Sequence, residues 1–160
     1  MEHNVAAMKR FRPYHGIALV LILVAGYTLV HRAAGGSHQR VGPGPDGVVR
    51  IPVADLSPLE VRFYRFLNAG NQEVRFFVSR DGGGQIQAAF DANEVCYKKK
   101  RGYKAEGEWV VCNFCDKAFR IAEINAGGGG CKPIPVPFRL EGEAVVLTEG
   151  ELLQGWRYFR

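Results

Sequence analysis

The rhythm of hydrophobic and polar positions changes twice along this chain. From Gly16 to Val30 no residue is charged and no polar position recurs at helical spacing. A soluble amphipathic helix carries a polar stripe, and this run has none. With Pro13, Tyr14 and His15 it approaches the ~17–20 residues that cross a bilayer. Residues 16–31 therefore read as one transmembrane helix. Lys9, Arg10 and Arg12 precede it, so residues 1–15 read as a basic cytoplasmic N-terminus, a bias that Arg32 and Arg40 weaken. A cleaved signal peptide is the rival reading, but Leu23-Val24-Ala25 and His31-Arg32-Ala33 are poor cleavage sites. Residues 32–47 then read as a flexible linker. Gly35-Gly36-Ser37 and Gly42-Pro43-Gly44-Pro45-Asp46-Gly47 are rich in breakers and offer no face to bury.

Beyond residue 47 the period becomes two. Val49, Ile51 and Val53 alternate with Arg50 and Pro52, which predicts a short edge strand. From Glu60 to Leu67, Val61, Phe63 and Arg65 share one face, and Arg62, Tyr64 and Phe66 the other. Glu73 to Ser79 is a second β-rich run, and Asn68-Ala69-Gly70-Asn71 makes the pair a hairpin. Asp81-Gly82-Gly83-Gly84 is the next turn, and Gln85 to Phe90 a third strand. Glu108 to Cys112 and Glu143 to Leu147 read as further short strands. Thr148-Glu149-Gly150-Glu151 has the form of a capping box, which predicts a short terminal helix through Leu152, Leu153 and Trp156. The expected fold for 48–160 is mainly β (small α+β): antiparallel strands, a cysteine knuckle region and a short C-terminal helix.

Composition narrows the chemistry. Lys and Arg total 21 against 16 acidic residues, a net charge of +5 in 160 residues, which is too mild to suggest nucleic acid. The 20 glycines and 8 prolines imply many turns. His3, His15, His31 and His38 all fall in the anchor or tether, so no hydrolase triad or histidine metal site is expected. Gly82-Gly83-Gly84 lacks the Lys-Ser/Thr of a phosphate loop.

The cysteines remain: Cys96, Cys112, Cys115 and Cys131, spaced C-x15-C-x2-C-x15-C. A C-x2-C knuckle with two distant cysteines is the pattern of a four-thiolate metal site. Gly127 to Gly130 lead directly into Cys131, and their unhindered N–H groups can donate to thiolates. Lys98-Lys99-Lys100-Arg101 and Lys104 offset the charge of such a site and predict lowered thiol pKa values. Trp109, Phe114 and Phe119 can shield it from water, although a core role suits them better. Zinc and copper(I) suit the ligands, as does an iron–sulfur cluster. In an oxidising compartment disulfides compete, Cys96–Cys131 with Cys112–Cys115 being one of three pairings.

Several separated motifs occur together: Phe90-Asp91-Ala92-Asn93-Glu94-Val95-Cys96-Tyr97, Gly102-Tyr103, Val111-Cys112-Asn113-Phe114-Cys115, Gly129-Gly130-Cys131-Lys132-Pro133 and Trp156-Arg157-Tyr158-Phe159. In this order they resemble the FtrD-like family of membrane iron–sulfur-containing proteins, from about Ile51 onward. The resemblance implies an extracytoplasmic accessory of an iron transport system, acting in electron transfer or metal handling. Its implied partners are the membrane, an iron permease and a periplasmic iron- or copper-binding protein; its implied place is the bacterial inner membrane. Asn93 stands where the family pattern has the first thiol of a Cys-x-x-Cys pair, and Asp116 where a glycine often follows the knuckle. Asn93, Asp116 and Gly130 are thus the expected neighbours of the four ligands. Export in the unfolded state disfavours a preassembled cluster and favours zinc or copper acquired outside. The competing expectation is a disulfide-stapled scaffold for a permease, with no redox role. Neither expectation includes a bond-making active site.

Overall fold

The computed structural model describes residues 38–160. The segments 1–15 and 16–31 lie outside the described residues. No helix among the described residues is long and apolar enough to cross a membrane. The strands, in chain order, are β1 (Gln39–Val41), β2 (Val48–Pro52), β3 (Val61–Leu67), β4 (Glu73–Arg80) and β5 (Ile86–Phe90). They continue with β6 (Tyr103–Glu106), β7 (Trp109–Cys112), β8 (Ala118–Arg120), β9 (Arg139–Glu141) and β10 (Ala144–Thr148).

Three sheets result. The central one has the order β1-β3-β4-β5, the second β2-β10-β9 and the third β6-β7-β8. All pairings are antiparallel except β1 with β3. The central strands are apolar on both sides because both sides are covered. Tyr64, Phe66, Val74, Phe76, Val78, Ala88 and Phe90 face one core, shared with Val49, Ile51, Val145 and Leu147 of the second sheet. Phe63, Phe77 and Ala89 face a second core, shared with Cys96, Tyr103, Val110, Cys112, Ile121 and Ile124. The period of two along β3 and β4 thus sorts neighbours such as Phe76 and Phe77 into different cores.

The hairpin β3–β4 closes as its turn residues demand: Asn68 Oδ1 accepts from the N–H of Gln72 at 2.8 Å, and Asn71 takes a left-handed φ of 62°. Strand β2 lies at a sheet edge, where Pro52 leaves no ladder bond unmade. The capping box is formed. Thr148 Oγ1 accepts from Glu151 N–H at 3.2 Å, and Glu151 Oε2 from Thr148 N–H at 2.7 Å. The helix α1 (Glu149–Leu153) that follows is shorter than the apolar positions to Trp156 suggest. It stops before Gly155, where a Cβ would stand 2.3 Å from the Phe90 ring. A 3-10 turn, Trp156–Tyr158, continues from there.

Strands β1, β6, β8 and β9 carry no sequence signal. They are three or four residues long and mostly exposed, so no alternation marks them. Strand β1 falls within the stretch 32–47, whose composition reads as a linker. It pairs in parallel with β3 over Gln39↔Tyr64 to Val41↔Phe66, a partner that lies outside the stretch.

Candidate metal centre

The site is built on the second core, where β5 ends. Asp91, buried at the strand terminus, accepts from the N–H of Tyr103 at 2.6 Å and meets His38 Nε2 at 2.9 Å. His38 also packs edge-on against Phe63, with ring centroids 5.6 Å apart. The sequence assigns this histidine to the tether; in the fold it closes over the buried carboxylate. Gly102 is what lets the chain return to Asp91. Its φ is 61°, and a Cβ would lie 2.3 Å from Asp91 Oδ2.

Asn93 organises the loop between them. Its Oδ1 accepts from the N–H groups of Val95 at 3.0 Å and Cys96 at 2.6 Å, an Asx turn that starts the 3-10 turn Tyr97–Lys99. Its Nδ2 donates to the Tyr103 hydroxyl at 2.8 Å and lies 3.8 Å from Cys112 Sγ. The Tyr103 hydroxyl in turn donates to the carbonyl of Cys131. One buried amide therefore ties together the backbone at Cys96, the thiol of Cys112 and, through Tyr103, the loop of Cys131. A thiol at position 93 could not make these four contacts.

Cys112 ends β7 opposite Tyr103. The knuckle then turns through Asp116, whose N–H bonds to the Cys112 carbonyl at 3.0 Å and whose φ is 56°. That left-handed φ explains why glycine suits the position, and the Asp116 carboxylate is not part of the cysteine group. The 3-10 turn Ile121–Ala126 anchors the next segment by burying Ile121 and Ile124. Gly127, Gly128 and Gly130 all take positive φ and lead the chain back to Cys131. Among the described residues the hydrogen bond to a sulfur from outside the thiol group comes from Asn93, not from these glycines. Phe119 packs on this core; Phe114 is exposed.

The sulfurs of Cys96, Cys115 and Cys131 all lie within 4.8 Å of one another, with Cys96 and Cys131 at 3.6 Å. Cys112, almost fully buried, is not in that tight group; it lies in the same core, with Asn93 Nδ2 at 3.8 Å from its sulfur. All four cysteines are free thiols. Burial, followed by hydrogen bonds to the other thiols, pushes the Cys96 thiol up to about 12. The lowering expected from Lys98-Lys99-Lys100-Arg101 does not occur at Cys96. Those lysines are exposed, and the cost of a buried anion among thiols outweighs them.

The donor set fits a metal. Metal–sulfur bonds of about 2.3 Å place the corners of a tetrahedron about 3.8 Å apart. The 3.6 Å separation of Cys96 and Cys131 is close to that edge. Among the described residues no histidine or carboxylate joins the group, so its donors are soft.

The family model for the membrane iron-sulfur containing protein FtrD-like matches residues 56–159. The chain belongs to this family. That match spans β3 to the terminal 3-10 turn and includes every cysteine. No curated protein and no solved structure matches the chain. The FtrD-like family is described as membrane and iron–sulfur-containing, and the converging thiols are compatible with metal handling.

Proposed function

We propose that this FtrD-like protein is a membrane-anchored accessory of iron transport whose extracytoplasmic domain holds one thiolate-ligated metal centre for electron or metal transfer. Cys96, Cys112, Cys115 and Cys131 are its ligands, residues 16–31 its anchor, and the part of 32–47 that precedes His38 and β1 its tether. Its partners on this reading are an iron permease and a periplasmic iron- or copper-binding protein. The observation that carries it is the approach of three sulfurs within 4.8 Å, in the same buried core that holds Cys112. Sulfurs this close favour a single ion over a polynuclear cluster, whose ligands stand apart on different metals.

A bound iron or copper supplies one-electron chemistry, whereas zinc supplies only structure. The chain does the rest. Phe63, Phe77 and Ile124 exclude water from one side. Asn93 and Tyr103 hold the loops at a fixed separation. The raised Cys96 pKa means that loading must release protons, because the thiol stays protonated until a cation replaces its proton.

The test is metal and acid-labile sulfide analysis of the full chain, purified from its own membrane without chelator, beside thiol titration. About one metal ion per chain, little sulfide and loss of metal in Cys112→Ser are expected. Equimolar iron and sulfide would replace the single ion by a cluster on the same ligands. A second reading, the disulfide-stapled scaffold, draws on the 3.6 Å approach of Cys96 and Cys131. Metal-free protein with no titratable thiol before reduction would establish it and end the metal reading.

A further inference from the structure

The cations of this domain are unevenly paired. Arg50, Arg62, Arg65, Arg75 and Arg139 each meet a carboxylate. Lys98, Lys99, Lys100, Arg101, Arg157 and Arg160 meet none among the described residues; nor do Arg40, Arg80, Lys117, Arg120 and Lys132, but the first six are set apart by their grouping. These six converge from two separate stretches of chain. Lys98, Arg157 and Arg160 line a hollow of about 470 Å³, together with Tyr97, Tyr158 and the single carboxylate Glu94. Lys100 and Arg101 line the adjoining crevice that leads to Cys96 and Cys112. The two depressions share one wall, Tyr97 and Tyr158, packed edge to face at 5.4 Å. Lys99 stands over the ring of Phe114 at 5.1 Å.

Two of the exposed large apolar side chains, Val95 and Phe114, adjoin the cysteines in sequence, and Phe114 sits under Lys99. A small apolar centre with a charged rim is the anatomy of a transient protein interface. The crevice, about 10 Å³, admits no more than a water. A partner seated there therefore meets the rim and not Cys96 or Cys112. The surface is hollowed and carries no long amphipathic helix, so projecting carboxylates fit it better than a flat lipid surface does.

We propose that this basic face is the docking surface for a protein partner presenting an acidic patch, seated over Tyr97 and Tyr158 beside the crevice that Cys96 lines. The proposal rests on the metal-centre reading for its purpose but not for its binding chemistry. Opposite charges on the two surfaces steer the encounter and weaken with salt, as the Debye length shrinks from about 10 Å at ~0.1 M to about 3 Å at ~1 M.

The test uses the full chain in zwitterionic nanodiscs and a fluorescent decaglutamate peptide as probe. The triple variant Lys98→Glu/Lys99→Glu/Arg157→Glu is compared with Arg40→Glu/Arg65→Glu/Arg139→Glu, which makes the same charge change elsewhere. Binding that falls with added salt, weakens about tenfold or more in the first variant and stays near wild type in the second is expected. Equal weakening in both variants would overturn the proposal, since net charge alone would explain it. So would indifference to decaglutamate with capture of phosphatidylglycerol vesicles, which would make the face a membrane contact. Metal analysis on the same samples separates the two claims. Metal-free protein that still binds through this face refutes only the metal centre, and metal-loaded protein that ignores the peptide refutes only the docking surface.

Discussion

The two faces of the central sheet obey the same alternation but end in different chemistry. On one face Phe76 packs into an apolar core closed by β2, β10 and α1. On the other, Phe77 packs against Cys96, Cys112 and Tyr103. The first face is closed by regular strands and a capped helix. The second is closed by the short strands β6 and β7, a 3-10 turn and the loop of Cys96, which Asp91, Asn93 and Gly102 tie together through side-chain hydrogen bonds and one close approach. Burial stabilises the apolar face without direction, whereas the thiol face depends on a few bonds with fixed geometry. A site that must converge on one point needs the second kind of support, and a scaffold needs only the first.

The sharpest way to break this comparison is at the two adjacent phenylalanines. Both are fully buried, so Phe76→Ala and Phe77→Ala should each cost about 3–5 kcal/mol in urea unfolding. Only Phe77→Ala should also raise the reactivity of the buried thiols under native conditions and weaken metal retention. Identical thiol reactivity in the two variants would show that the faces are not separable.

Asn93→Ala should cost about 2–4 kcal/mol, because it removes the acceptor for two backbone N–H groups and leaves the Tyr103 hydroxyl short of a partner. Hydrogen exchange should show the loss confined to 93–103 and to the cysteine loops, with β10 still protected. Uniform loss of protection would contradict a local role.

The metal-free domain should weaken at high pH. Cys96 has a folded pKa near 12 against a reference of 9.0, so the folded state holds this proton more tightly than the unfolded state. The associated stability is complete below pH 9 and is lost as pH rises toward 12. By pH 10.5 it should have fallen by about 2 kcal/mol, measured as the difference between wild type and Cys96→Ser. A wild type that tracks Cys96→Ser across this range would mean that Cys96 is not held as a thiol.

The smallest effect belongs to the apolar face. Thr148→Ala removes the side-chain half of the capping box and should cost about 1 kcal/mol, with metal content unchanged. A change in metal content here would show coupling across the sheet.

Much of the domain's architecture is legible from residue order. The alternation in Glu60–Leu67 gives one strand and its two faces, and the β-rich run Glu73–Ser79 with the turn Asn68–Asn71 gives its hairpin partner. Thr148 and Glu151 announce the helix start. The short strands β1, β6, β8 and β9 are illegible because they bury too little to leave a pattern. At the site, the cysteine spacing predicts four ligands of one centre, and the structure brings three of those sulfurs, of Cys96, Cys115 and Cys131, within 4.8 Å of one another. The roles of Asn93 and His38 escape it, since their partners lie 10 and 53 residues away. The free Asx geometry of Asn93-Glu94-Val95-Cys96 was the one local signal of the former.

By itself, then, the sequence determined the strands with strong alternation, the mainly antiparallel class, the family and the identity of the thiols. These depend on local periodicity and on residue type, which order alone expresses. Only the tertiary structure decided which thiols crowd together, that burial raises the Cys96 pKa despite four neighbouring cations in sequence, and that a lone asparagine ties their loops together. Desolvation and hydrogen-bond geometry depend on what surrounds a group in space, and the surroundings here come from segments far apart in the chain.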